Sequence, residues 1–323
     1  MTATHPLPGI ATQAPVVPAR ALRLPGCDRR LAYAAHYWPA TVMNLLRRHR
    51  LRATVDEPRL SAPVSIPPAL RRDWQALFDA DAACPLLVNQ SVGTLLYTRL
   101  FGQLGLNFRR LLHVQHRTEY RVGPETFAAA AQQSLVCELD GCWRLAEDKG
   151  LVVLRTQIHL PAAEGGGLLA AVEDRFVIRH VPTHDWAQLP PLDDRHAQRD
   201  LSGLRRRRPG IDVAAAGTRV LPLQLPADLG RRYGRVSGDH NPVHTTALAA
   251  RLFGLPRPFA QGLALRNLIV SELHRLQAPL QRLQLTFAQP AYLGQTLRLV
   301  LRGDALELLD EAGRVLVFGR AQN

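Results

Sequence analysis

Lysine is almost absent. Lys149 is the single lysine among the 40 Lys and Arg residues of the 323-residue chain. The net charge of +13 is therefore an arginine excess. It reads as composition bias as much as function, and it still favours anionic partners such as nucleic acid, an acidic carrier protein or a phosphate-bearing ligand. Cysteine is scarce too. Cys27, Cys84, Cys137 and Cys142 contain no Cys-x-x-Cys pair, which argues against a zinc ribbon or thioredoxin-like site and fits reduced, buried thiols. No run approaches the ~18 apolar residues of a membrane helix. The first 25 residues carry Pro6, Pro8, Pro15, Pro18 and Pro25 and lack the apolar stretch of a signal peptide, so they read as the loose tail of a cytoplasmic protein. There is no Gly-x-x-x-x-Gly-Lys loop and no Gly-x-Ser-x-Gly elbow.

What is present is an ordinary globular balance, 46% hydrophobic and 21% charged, over a length that suggests about two domains. Two stretches read alike. In the first, Val92, Leu95, Leu96, Leu100 and Leu104 fall on one helical face. Strand-like segments follow: 135–139 and 143–145 flanking Asp140-Gly141, which reads as a hairpin turn, then 151–158 and 170–181, separated by Gly165-Gly166-Gly167. In the second, Leu265, Leu268, Ile269, Leu273 and Leu276 make the helical face, and strands are expected at 283–288, 296–302, 306–309 and 315–318. The order predicts two copies of one helix-plus-antiparallel-sheet unit. Residues 1–30 read as the tail, 31–182 as the first copy, 183–218 as a Pro- and Arg-rich linker and 219–323 as the second copy. The linker's Arg205-Arg206-Arg207-Arg208 has no interleaved aromatics, so a solvated link is expected, contact with the phosphate of a cofactor-like ligand is the sharper alternative, and a nucleic-acid partner is not expected.

The chemistry concentrates in Tyr233-Gly-Arg-Val-Ser-Gly-Asp-His-Asn-Pro-Val-His244. Ser237-Gly238-Asp239 reads as a turn. Asn241-Pro242 reads as a helix start, with Asn as cap, Pro at the first helical position, and the helix running on from Thr245 to Phe253. Asp239 and His244 across such a turn can share a water and move its proton. The same residues also suit a plain turn and capped helix with a solvated Asp and a packed His. Phe259-Ala-Gln-Gly262 precedes the second apolar helix. A glycine at a helix N-terminus lets a ligand approach free N–H groups that stabilise developing negative charge. His113 and His116, three apart in an expected strand, should point to opposite faces, so no metal site is expected there.

Together Tyr233, Ser237, Gly238, Asp239, Asn241, Pro242, Val243, His244 and Ala250 resemble the pattern of the MaoC-like or hydratase-2 family, (R)-specific enoyl-thioester hydratases and dehydratases. The resemblance covers about residues 221–321; the first half matches in layout only. It implies an α+β double hot-dog fold, in which a long helix is wrapped by an antiparallel sheet, twice. It implies that Asp239 and His244 act on water and the α-carbon, that Asn241 braces the loop, and that the Gly262 amide, next to Gln261, forms the oxyanion hole. Tyr233, Ser237, Gly238 and Pro242 would support the loop. It implies no cofactor beyond coenzyme A or acyl carrier protein bearing the acyl group, and a two-fold dimer is the default assembly. Asn241-Pro242 is the single Asn-Pro of the chain, so one active site is expected. The first copy would then accommodate the acyl tail; Gly93, Gly102 and Gly105 around its helix either leave room for it or serve close helix–sheet packing. Gln261 stands where the family usually has His. The rival reading is a non-catalytic acyl-thioester-binding or regulatory module.

Overall fold

The computed structural model describes residues 22–23, 58–106, 110–146, 148–181, 185, 187, 189–192, 210–277 and 280–323. Cys27, Arg205–Arg208, all of the tail but residues 22–23 and more than half of the linker lie outside them.

Strand β1 (Leu22–Arg23) pairs in parallel with β2 (Arg59–Ser65) at the outer edge of one 11-stranded sheet. In the N-terminal half, α1 (Pro68–Phe78), α2 (Gln90–Gln103), β3 (Leu111–Tyr120), α3 (Pro124–Ala129), β4 (Gln132–Ala146), β5 (Lys149–His159) and β6 (Leu168–Ile178) follow β2. In the C-terminal half come β7 (Arg219–Gln224), α4 (Leu229–Ser237), α5 (Ala247–Leu252), α6 (Gly262–Arg275), β8 (Arg282–Phe287), β9 (Thr296–Arg302), β10 (Ala305–Leu309) and β11 (Val315–Gln322). The sheet order β2-β4-β5-β6-β3 is repeated in reverse as β8-β11-β10-β9-β7. The two copies meet where β3 pairs antiparallel with β8, with His116 opposite Leu285. This is the double hot-dog arrangement that the resemblance implies.

Each long helix fills the concave side of its own half. Val92, Leu95, Leu96 and Leu100 of α2 pack with Leu135, Val152 and Leu154. Leu265, Ile269 and Leu273 of α6 pack with Leu285, Leu299 and Leu308. Such fully buried apolar side chains stabilise the fold by roughly 1.5–3 kcal/mol each. Helix α1 departs from this division, since its Trp74 and Phe78 join the C-terminal core beside Tyr233. Burial pushes the Cys84 and Cys142 thiols up to about 12 and raises Cys137 as well, so these three behave as small apolar groups. No helix among the described residues is long and apolar enough to cross a membrane.

Two local expectations are corrected. Asp140-Gly141 is no hairpin turn: β4 runs through it with a register shift between Leu139 and Gly141, and the chain reverses near Asp148, whose φ is 56°. The glycine serves a bulge instead, because a Cβ at 141 would lie 2.7 Å from the Trp143 ring. The helix expected over 245–253 is also shorter. A 3₁₀ turn over Pro242–His244 comes first, and Thr246 then caps α5 by accepting from the Ala249 N–H at 3.3 Å. Leu248 and Leu252 are about 70% exposed, at 71% and 70%, so they pack against no core.

Candidate active site

Helix α4 ends at Ser237, and Gly238 closes it in the left-handed region, φ 73°. That reversal starts the loop bearing Asp239. Ser237 Oγ donates to the Tyr233 carbonyl at 2.8 Å and accepts from the Asp239 N–H at 3.2 Å. The Asn241 N–H then donates to Asp239 Oδ1 at 3.2 Å, while Asn241 Oδ1 accepts from the Val243 N–H at 3.3 Å. Pro242 opens the 3₁₀ turn that presents His244. Asn241 therefore caps this turn rather than a full helix, and its side chain holds the loop's shape.

The turn sits directly on α4. A Cβ at Gly230 would lie 1.9 Å from the His244 carbonyl oxygen, and one at Gly234 would lie 3.0 Å from the Asp239 carbonyl oxygen. Two glycines one turn apart thus let the helix backbone touch the loop. Tyr233 lies between them in sequence and is wholly buried against Trp74, 5.6 Å between ring centroids. Its hydroxyl donates to Gln90 Oε1 of α2, so the N-terminal half also anchors the loop.

His244 is buried, and its Nδ1 lies 2.9 Å from the Phe259 carbonyl oxygen. Since that oxygen only accepts, the proton belongs on Nδ1, and Nε2 presents its lone pair. Burial pushes the imidazole below its ordinary value, while Asp239 and the Phe259 carbonyl oppose the shift. Gly262 is the first residue of α6, and its N–H and that of Leu263 precede the first bonds of the helix, from the Ala264 and Leu265 N–H groups to the Gln261 carbonyl. A Cβ at Gly262 would lie 3.0 Å from the Phe287 ring, so a larger residue would press on that ring. Gln261 precedes it, buried. Its Nε2 donates at 3.5 Å to the carbonyls of Gly230 and Asp239, and its Oε1 is without a partner among the described residues.

Asp239, Asn241, His244, Gln261 and Gly262 all border one cavity of about 440 Å³, as does Tyr233. Ser237, Gly238 and Pro242 support the loop from outside it. The walls are mainly apolar, with Phe253, Phe259 and Phe287 from the C-terminal half and Phe101, Leu111 and Phe176 from the N-terminal half. The room in the first copy is lined by Thr94, Tyr97, Thr98 and Phe101 of α2 rather than by the expected glycines. Gly93 borders only a separate space of about 40 Å³. His244 also borders a second cavity of about 150 Å³, which Arg231 and Arg257 line.

One sequence expectation fails here. His113 and His116 share a face, because a bulge at Val114 shifts the β3–β6 register between His113 and Gln115. Both reach Asp174 Oδ1, His113 Nε2 at 2.8 Å and His116 Nδ1 at 2.7 Å. The three donor atoms lie within 4.8 Å of one another. The cluster is hidden in the sequence because unbroken strand alternation would put the two histidines on opposite faces. The pair Gly230 and Gly234 was legible in principle as small residues at i and i+4.

Residues 212–311 match the family described as MaoC like domain. Over 100 residues the chain is 35% identical to 3-hydroxyacyl-thioester dehydratase X of Mycobacterium tuberculosis; the match spans 31% of this chain and 34% of that protein, about a third of its length. The crystal structure of HtdX from Mycobacterium tuberculosis superposes with a TM-score of 0.56 at 18% identity, covering 80% of this chain and 98% of that one. The peroxisomal multifunctional enzyme type 2 of Drosophila melanogaster does so with a TM-score of 0.53 at 15% identity, over 82% of this chain and 48% of that one. At such identities the structures speak for the fold. The chain has the double hot-dog fold, and the stretch that matches the MaoC like domain, residues 212–311, carries Asp239 and His244.

Proposed function

We propose that the chain is an (R)-specific 3-hydroxyacyl-thioester dehydratase that runs equally as a trans-2-enoyl-thioester hydratase. The observation that carries this reading is the meeting of a carboxylate, a neutral imidazole and a helix N-terminus on one apolar cavity. The dehydratase named above supports it.

In hydration, the thioester carbonyl accepts from the Gly262 N–H, and the α6 dipole stabilises the enolate oxygen as charge develops. A water is held between the Asp239 carboxylate and His244 Nε2. As its oxygen bonds to C3, Nε2 takes one of its protons and the C2–C3 π pair moves into the enolate. The enolate then collapses, and C2 takes that proton back from Nε2. Hydrogen and hydroxyl arrive on the same face, and dehydration is the reverse. Asp239 accepts from the remaining O–H and fixes the water's direction. The acyl group rides on coenzyme A or acyl carrier protein, and Arg231 and Arg257 suit the phosphate of either carrier. Residues 31–182 house the acyl tail, and residues 219–323 do the chemistry.

The test is loss of the conjugated thioester absorbance with trans-2-enoyl-CoA substrates from short to long chains. Turnover at any length supports the reading. A folded protein inert toward both CoA and carrier-protein forms would make it a non-catalytic thioester-binding module.

Two further results are expected. Because burial holds the His244 imidazole below its ordinary value near 6.5, the base stays unprotonated as the pH falls through that value. The acid limb of the kcat/KM profile should therefore lie below pH 6.5; a limb at or above it would contradict a neutral His244 base. Gln261→His should leave kcat within about tenfold of the parent, or ~1.4 kcal/mol. The oxyanion donor is the neighbouring backbone, and Gln261 makes only two long hydrogen bonds.

A further inference from the structure

We propose that the outer face of α5 is a docking surface for an acidic acyl carrier protein, which delivers the thioester in preference to coenzyme A. The proposal rests on the enoyl-thioester reading above and names the partner of its site.

The first observation is an apolar pair left in water. Leu248 and Leu252 stand four residues apart in α5, so they share one helical face. They are 71% and 70% exposed, whereas no other exposed large apolar side chain among the described residues passes 45%. Ala250 is the buried residue that holds the helix to the fold. A paired apolar face of this kind marks a contact site rather than scattered surface residues.

The second observation is where the pair stands. His244 and Thr245, just before α5, border the cavity of about 150 Å³ that Arg231 and Arg257 line. Phe253 and Leu255, just after α5, line the cavity of about 440 Å³. The leucine face is therefore bracketed along the chain by the two spaces that would take the carrier's phosphate and the acyl group.

The third observation is charge. Residues 229–261 hold Arg231, Arg232, Arg235, Arg251 and Arg257 against one acid, Asp239, which borders the larger cavity. Arg232 lies 3.9 Å from Asp228. Arg231, Arg235 and Arg251 are exposed and have no acidic partner among the described residues. Arg257 is exposed as well and lies over the Tyr292 ring, 5.3 Å from its centroid. Guanidinium groups without internal partners are open to carboxylates from outside, in bidentate pairs. Coenzyme A brings phosphates for two of these arginines, but nothing in it calls for two leucines one turn apart. A protein whose acidic side chains surround an apolar one matches both features, an apolar centre with a charged rim. So small a contact suits a partner that must leave after each turnover.

The test places one medium-chain trans-2-enoyl group on coenzyme A and on the acyl carrier proteins of the host. At least one carrier protein should be used about tenfold or more better in kcat/KM. Leu248→Ser together with Leu252→Ser should lower kcat/KM on that carrier protein about tenfold or more and leave coenzyme A turnover at the parental rate. Arg251→Glu should cause a similar selective loss and flatten the salt dependence of carrier-protein turnover. All three side chains are exposed, so parental melting temperatures are expected. The carrier protein bearing the saturated acyl chain, titrated by calorimetry, reads docking without turnover. Docking that the serine variant loses, with no turnover on either carrier, would sink the enoyl-thioester chemistry and keep the surface. Equal use of the two carriers would overturn the surface, as would a serine variant that uses the carrier protein as the parent does. A concentration-dependent dimer that the serine variant dissociates would overturn it too, because the face would then belong to a second copy of the chain.

Discussion

Asn in place of Asp239, or Ala in place of His244, is expected to lower kcat for enoyl-thioester hydration by about 10³-fold or more, within the range of general acid–base groups. The two side chains hold one water, so the double variant should be hardly worse than either single one. Folding should survive both changes. Asp239 is partly exposed, and Asn can still accept from the Asn241 N–H through its Oδ1. His244→Ala gives up the hydrogen bond to the Phe259 carbonyl, a loss of about 1 kcal/mol. Thermal melts of all three variants beside single-turnover rates would check this. Near-parental rates in a folded Asp239→Asn would remove that carboxylate from the mechanism.

Gly230→Ala should be nearly as damaging to activity without touching a reacting group. The added methyl would sit 1.9 Å from the His244 carbonyl oxygen and 2.9 Å from its carbonyl carbon. The obstacle is backbone on both sides, so α4 or the 3₁₀ turn must move bodily. Overpacking of this kind costs about 1–3 kcal/mol, and a shift near 1 Å at the base is enough for roughly a 10²-fold loss of rate. Gly123→Ala is the matched control. It caps α3 with φ −61° and ψ 158°, and a Cβ there meets nothing within 4 Å. Chemical denaturation and kcat for both variants would test the contrast. A Gly230→Ala protein with parental rate and stability would mean that the loop does not depend on its contact with α4.

Much of this was legible in the sequence because local signals and tertiary demands agree. Leu265, Ile269 and Leu273 recur at helical spacing, and all three are core. Ser237 to His244 read as a turn and cap, and the hydrogen bonds from Ser237 through Asn241 follow that chain order. The failures arise where one residue type serves two geometries. Asp140-Gly141 has the residues of a turn and forms a bulge. Val114 interrupts strand alternation with no compositional mark, so His113 and His116 land on one face against expectation. Contacts between the halves were invisible for a different reason. The bond from Tyr233 to Gln90 joins residues 143 apart in the chain, and nothing in either segment announces its partner.

The most direct test of the account is hydration of a trans-2-enoyl-CoA in deuterated water, reading the configuration at C3 and the position of deuterium at C2. One dyad delivering hydroxyl and proton from the same face predicts deuterium added syn to the hydroxyl, and the (R)-specific reading predicts a single (3R) product. A (3S) product would contradict the (R)-specific reading, and deuterium on the face opposite the hydroxyl would contradict proton return from His244 and with it the proposed site.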